Sequence, residues 1–282
     1  MKIAVMTDSG SNLSADFVKK TSNLYVIPLM IVVDGKEFRD QLEISASEVY
    51  EKLDTHKIST SLPSPEDILS AVKDIKSKKY THLLIINISS GLSGTFNSFR
   101  LALEDEKDLK VIQYDTKTLG GGQGMIVEYA LELIKKNTDF ESIVPLLDEM
   151  RYKDSLAFYT INTLKYLRAG GRIGKVEGTI GDLLHIKPVI TVNDDGVYVT
   201  LSKAFGIKRS LLKMKSILIE KFGNHEIDLI IHFGDNESDA KEWSEKLVNS
   251  LKIRNLQIQQ LTPVLGVHTG PDIIAFVARI IK

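Results

Sequence analysis

The stretch Thr81-His82-Leu83-Leu84-Ile85-Ile86-Asn87-Ile88 runs straight into Ser89-Ser90-Gly91-Leu92-Ser93-Gly94-Thr95. The first eight residues are a nearly unbroken apolar run and read as a buried strand. The next seven are small, hydroxylated and glycine-rich, and residues 96–103 have helical periodicity. A strand, a hydroxyl-rich turn and a helix in that order are the repeating unit of an α/β fold. The turn sets side-chain O–H groups and unpaired backbone N–H groups at a helix N-terminus, a ready receptor for a carboxylate or phosphate. An oxyanion is therefore expected at Ser93.

The same alternation extends outward. Residues 2–7 read as a first strand, with 8–13 as the loop at its carboxyl end. Residues 24–33 read as one strand turning at Asp34-Gly35, a favourable hairpin dipeptide. Ser45 and Glu48 form a capping box that opens a short helix to Leu53. Ser64 as N-cap with Pro65 at the first helical position starts another, whose inward face is Ile68, Leu69, Val72 and Ile75. Beyond Ser93 come a strand at 109–114, a glycine-rich loop from Gly120 to Gly124, and helices near 125–136 and 139–152. A second series starts near Ser155, with a hairpin at Asp194-Asp195-Gly196, a helix at 207–222 and a strand at 227–232. It closes with a helix at 237–251, turning Ala240, Trp243, Leu247 and Leu251 inward, and an apolar run at 273–281. The expected architecture is α/β with two domains, 1–155 and 156–282, and a mostly parallel sheet in the first. No Pro/Ser-rich linker separates them, so close packing of the halves is expected.

Composition narrows the function classes. The chain of 282 residues carries a net charge of −1, which provides no global attraction to nucleic acid or an anionic membrane. There are no cysteines, so disulfides, thiolate catalysis and cysteine metal sites are excluded. Asp8 arrives too early for a secretory signal, and the 24–33 run, interrupted by Pro28, is about half a membrane span. A cytoplasmic protein without membrane insertion is expected.

Enzyme motifs fail one by one. Gly91-Leu92-Ser93-Gly94-Thr95 has threonine where a nucleophile elbow needs its last glycine. Gly174-Lys175 lacks both the upstream glycine and the downstream hydroxyl of a P-loop. Gly120-Gly121-Gly122-Gln123-Gly124 does not continue as a dinucleotide fingerprint. Asp8 has Gly10 where an aspartyl phosphatase has its second acid. The six histidines show no metal-ligand spacing, and His82 and His232, inside apolar runs, are read as structural. Asp8 and Ser9, at the end of the first strand, read equally as functional groups or as caps of the following turn.

Five motifs, T-D-S at 7–9, T-S-L-P-S at 60–64, S-S-G-L-S-G-T at 89–95, R-A-G-G-R-I at 168–173 and H-T-G-P at 268–271, together resemble the DegV family of bacterial fatty-acid-binding proteins. The resemblance spans nearly the whole chain. It implies two α/β domains with one long-chain, palmitate-like fatty acid in an internal tunnel at or near their interface. It also implies a carrier without catalysis, cofactor or metal, which presents the carboxyl group to a separate fatty acid kinase for acyl-phosphate formation and phospholipid synthesis. The family's carboxylate-binding hydroxyls fall on Thr60 and Ser93. Arg172 and His268 match its basic residues, with Ser61, Gly94 and Thr95 in the supporting polar network.

Other readings stand beside these. Thr60 and Ser61, before Leu62-Pro63, also suit a plain turn, and Ser93 suits a helix cap. A positive charge for the carboxylate would come from Arg172 or a protonated His268. The alternative function is a small-molecule phosphotransferase using the Ser93 turn and the Gly120–Gly124 loop for phosphate. No acid lies between Asp195 and Glu220, whereas Lys203, Lys208, Arg209, Lys213 and Lys215 do. With Arg172, Lys203, Lys208 and Arg209 form a candidate rim for docking the kinase. Two residues depart from the family pattern. Phe205 stands where a basic residue is common, and Asp272 follows H-T-G-P where glycine is common, suggesting a charge pair or a restricted backbone near His268.

Overall fold

The computed structural model describes residues 1–180 and 185–282. Up to Asp115 the strands are β1 (Ile3–Asp8), β2 (Leu24–Ile27), β3 (Met30–Val33), β4 (Lys36–Arg39), β5 (Ile58–Ser61), β6 (His82–Asn87) and β7 (Lys110–Asp115). From Ser155 onward they are β8 (Ser155–Thr160), β9 (Ile186–Val192), β10 (Tyr198–Phe205), β11 (Glu226–Phe233), β12 (Lys252–Gln260) and β13 (Ile274–Ile280). Three sheets result: β2-β1-β6-β7, all parallel; β10-β9-β8-β13-β11-β12, antiparallel except for β11–β12; and a small antiparallel β4-β3-β5.

The parallel sheet is covered on both faces, which is why β1 and β6 are continuous apolar runs. Helices Pro65–Ser77 and Thr95–Ala102 pack on one side through Ile68, Val72, Ile75 and Phe99. Helices Gly121–Lys135 and Phe140–Glu149 pack on the other through Ile126, Ala130, Ile143 and Leu147. The six-stranded sheet is covered on one face by Ile207–Phe222 and Glu237–Val248, through Leu211, Met214, Trp243 and Leu247. Its other face turns to the first half of the chain. Strand β13 shows the alternation: Ile274, Phe276 and Ala278 join the helix-covered core, Ala275 the central cluster, and Val277 the cluster of the first half.

Most local signals hold. The Asp34-Gly35 turn joins β3 to β4, the capping box at Ser45 and Glu48 is complete, and Ser64 caps its helix with Pro65 in the first turn. The hairpin around Gly196 joins β9 to β10. Four readings need correction. Residues 24–33 form two strands in different sheets, because Pro28 has no N–H for a ladder and Leu29 N–H goes to Ser9 Oγ (3.0 Å). Leu69 is exposed rather than inward-facing. Thr60 and Ser61 lie in β5, not a turn. The Gly120–Gly124 segment is no loop: the helix already begins at Gly121.

Candidate ligand-binding site

In the parallel sheet the chain leaves β1 for β2 on one side, and β6 enters on the other. The carboxyl ends of β1 and β6 therefore flank a topological switch point, where open α/β sheets place ligands. Asp8, fully buried, closes this junction. Its carboxylate accepts from Gly10 N (3.1 Å), Ile88 N (2.9 Å) and Asn87 Nδ2 (3.2 Å). Burial raises its pKa, against the pull of those hydrogen bonds. Asp8 ties the two strand exits together and caps the turn at Ser9–Ser11.

The seven residues after β6 divide their work. Ser89 Oγ donates to Gly196 O (2.7 Å) and docks the β9–β10 hairpin. Ser90 N–H is taken by Asp115 Oδ1 (3.1 Å). Ser93 is not the helix cap; the helix Thr95–Ala102 has Gly94 at that position. Ser93 Oγ instead lies 2.8 Å from Thr95 Oγ1 and accepts from Thr95 N (3.3 Å). The Ser93 N–H goes to Ser89 O (3.1 Å), while the Gly94 N–H has no hydrogen-bond partner among the described residues.

Thr60 arrives from another sheet. It pairs with Ile31 across β3–β5, and its Oγ1 lies 2.8 Å from His268 Nε2. His268 sits in the helix Pro263–Thr269, an element unforeseen despite Thr262-Pro263, the same start signal as Ser64-Pro65. Beneath it, buried Asp40 accepts from Val264 N (2.9 Å) in that helix's first turn, and burial lifts the Asp40 carboxyl to about 7. Arg172 donates from Nε to Leu92 O (3.3 Å) and from Nη1 to Gly170 O (2.5 Å). Gly170 is a close-approach glycine: a Cβ there would run into His268 Nδ1.

These residues surround a cavity of about 40 Å³ whose wall includes Thr60, Ser61, Ser93, Arg172 and His268. Gly94 and Thr95 stand behind that wall, Thr95 reaching it through the Ser93 hydroxyl. Burial, and then the positive Arg172, pushes the His268 imidazole down to about 4. Without a bound anion the imidazole is therefore neutral at neutral pH, and among the described wall residues Arg172 carries the positive charge. Leu119, Tyr198 and Leu265 are shared with a second cavity of about 40 Å³, walled by Ala157, Leu261, Ile273, Ala275 and other apolar side chains. Buried His232 is part of this second wall, whereas His82 packs edge-on against Phe140 outside both cavities.

The glycine-rich segment borders the inner cavity through Gly120 and Gly121, but its backbone is already engaged. Gly120 N–H goes to Gly10 O (2.7 Å), Gly122 N–H to Leu119 O (3.2 Å) and Gly124 N–H to Gly120 O (2.9 Å). Three of the five N–H groups a phosphate cradle would use are thus already taken. Among the described residues no group of three or more His, Asp or Glu could hold a metal, and no helix is long and apolar enough to cross a membrane. Lys203, Lys208 and Arg209 are exposed, on β10 and the start of Ile207–Phe222. Lys215 turns away to donate to Lys246 O (2.9 Å). Phe205 is 62% exposed, and Asp272 makes no ion pair among the described residues.

An α/β protein with a polar-mouthed, apolar internal cavity is the class that fold and site define. Comparison with known proteins gives the family: this chain belongs to the DegV family, described as uncharacterised, which matches residues 2–280. A DegV domain-containing protein of Clostridium perfringens is 40% identical over 273 residues, covering 97% of this chain and 96% of the relative. A solved DegV family structure from Thermus thermophilus, described by its fatty acid binding, superposes with a TM-score of 0.91 at 29% identity and full coverage of both chains. DegV of Bacillus subtilis, described as a fatty acid binding protein, does so with 0.90 at 25% identity, again over both whole chains.

Proposed function

We propose that this protein binds a long-chain fatty acid, its carboxylate at Thr60 and Ser93 and its tail in the inner cavity. One observation carries the reading: four residues widely separated in the chain, Thr60, Ser93, Arg172 and His268, meet at a cavity that shares wall residues with an apolar one. Both hydroxyls are primed as donors. Ser93 Oγ accepts from the Thr95 N–H and can turn its own proton toward an anion; Thr60 Oγ1, 2.8 Å from His268 Nε2, can do the same in the tautomer with the ring proton on Nε2. The Arg172 charge adds to this, and a buried carboxylate needs such partners.

The tail is the larger energetic component. At about 0.8 kcal/mol per buried CH₂, a chain of roughly sixteen carbons has a gross transfer free energy on the order of 12 kcal/mol, before the ordering of the chain is subtracted. Each cavity offers only about 40 Å³, so loading displaces wall side chains, among them the shared Leu119 and Leu265. The same reading divides the chain near Ser155 and has the carboxyl group handed to a separate fatty acid kinase. The exposed Lys203, Lys208 and Arg209, together with Arg172, are the candidate rim for that partner. Mass spectrometry of an organic extract of protein purified without detergent tests the binding step. Stoichiometric fatty acid is expected, and an extract free of it, with no uptake on titration, overturns the reading.

A further inference from the structure

His232 lies in β11 with 1% of its surface exposed, and its ring forms part of the inner cavity wall. Its Nδ1 faces the backbone carbonyl of Gln259 at 3.4 Å. A carbonyl only accepts, so the proton sits on Nδ1 and Nε2 is left as a bare acceptor. Burial keeps the ring neutral by pushing its pKa down to about 4. Nε2 has no hydrogen-bond partner among the described residues. Its immediate neighbour on the helix Gly121–Lys135 is Gly121, where a Cβ would stand only 2.5 Å away. Any side chain at 121 would block this nitrogen.

A buried acceptor without a donor is unfavourable, and a plain hydrocarbon tail offers it nothing. A lone water needs two to four polar partners, and besides His232 this wall offers Tyr159, Tyr198 and Thr269 among apolar side chains such as Leu119, Leu261, Ile273 and Val277. A hydroxyl carried on the tail brings a donor to the nitrogen without a separately immobilised molecule. Because His232 belongs to the inner cavity and not the mouth, that hydroxyl lies on the chain away from the carboxylate.

We infer that His232 makes this protein selective for hydroxylated long-chain fatty acids, accepting the tail O–H at Nε2. The inference rests on the fatty-acid reading above and adds the ligand class. It also sets a direction: an oxo group at the same carbon is an acceptor facing an acceptor and gains nothing.

The test is displacement of a fluorescent long-chain fatty acid by octadecanoic acid, by its single-hydroxyl isomers substituted along the chain, and by the matching oxo acids. At least one hydroxy isomer is expected to bind about tenfold more tightly than octadecanoic acid, with no oxo acid doing so. In His232→Phe the ratio of the two affinities, measured within the variant, is expected to fall to about one. On wild-type protein with ¹⁵N-labelled histidine, the favoured hydroxy acid should shift the His232 Nε2 resonance upfield, as expected when a bare imidazole nitrogen accepts a hydrogen bond. That readout does not depend on the variant folding. No hydroxy isomer surpassing octadecanoic acid, an equal gain for oxo acids, or a preference that survives His232→Phe overturns the inference and leaves the fatty-acid reading standing. Failure of every acid to displace the probe overturns both.

Discussion

The mouth and the inner end of the cavity are built on opposite principles. At the mouth, four polar residues come from four parts of the chain, and each is held by a named hydrogen bond or by a glycine that makes room. At the inner end the wall is largely apolar, with His232, Thr269 and the rings of Tyr159 and Tyr198 as its buried polar members. The contrast assigns separate tasks, with orientation coming from the mouth and affinity from the interior.

Filling the interior should therefore do the most damage. Ala275→Phe puts a ring into the inner cavity and is expected to weaken long-chain fatty acid binding by a factor of about one hundred, the order expected when several methylenes lose their place. Titration calorimetry measures it, and near-normal affinity would mean the tail lies elsewhere. At the mouth, Arg172→Ala removes the positive charge of the wall, the one among the described lining residues, and about a tenfold loss is expected. Ser93→Ala removes one donor from a network that keeps others. A several-fold loss with unchanged thermal unfolding is expected, and undiminished binding would take Ser93 out of the site.

The finest test is the pH dependence of stability at the mouth. His268 has a folded pKa of about 4, below its ordinary 6.5, so its contribution is full above pH 6.5 and is lost as the pH falls toward 4. Asp40, lifted from 3.8 to about 7, acts in the opposite sense: folding favours its protonated form, and stability declines as the pH rises from about 4 to 7. Thermal unfolding across pH 4–8 should show a shallower acid loss in His268→Gln than in wild type. Asp40→Asn should lose the decline between pH 4 and 7, and its gain over wild type at pH 8 is at most about 4 kcal/mol. Parallel curves for wild type and both variants would refute these assignments.

The two ends also differ in how far they can be read from sequence. Ser93 was legible as an oxyanion receptor from its hydroxyl-rich turn, whereas Thr60, Arg172 and His268 were legible only through the resemblance of their motifs to a family; the structure brings all four together. Leu119, Tyr198 and Ala275 carried no such mark, because lining a hole and packing a core call for the same apolar side chains. The parallel sheet was legible from the continuous runs of β1 and β6, which are buried on both faces. Strand β12 was not: at the edge of its sheet it alternates few apolar residues with Arg254, Asn255 and Gln257. The glycines at 121, 122 and 124 suggested a loop because glycine is a poor helix former. Their helix stands because its first turn presses close to His232 and Ala157, where packing outweighs propensity.

That helix has a consequence for anyone who cuts the chain. Gly121–Lys135 shares its cluster with Ile230 and Val277, and Arg279 at the far end of the sequence reaches back to Glu132 (2.7 Å) and across to Asp228 (3.1 Å). A fragment ending at Ser155 would expose a greasy flank and strand an acid without its counter-ion. The severed remainder would keep Arg279 paired only with Asp228. Neither piece is expected to remain soluble alone, and mixing the two should restore a folded whole.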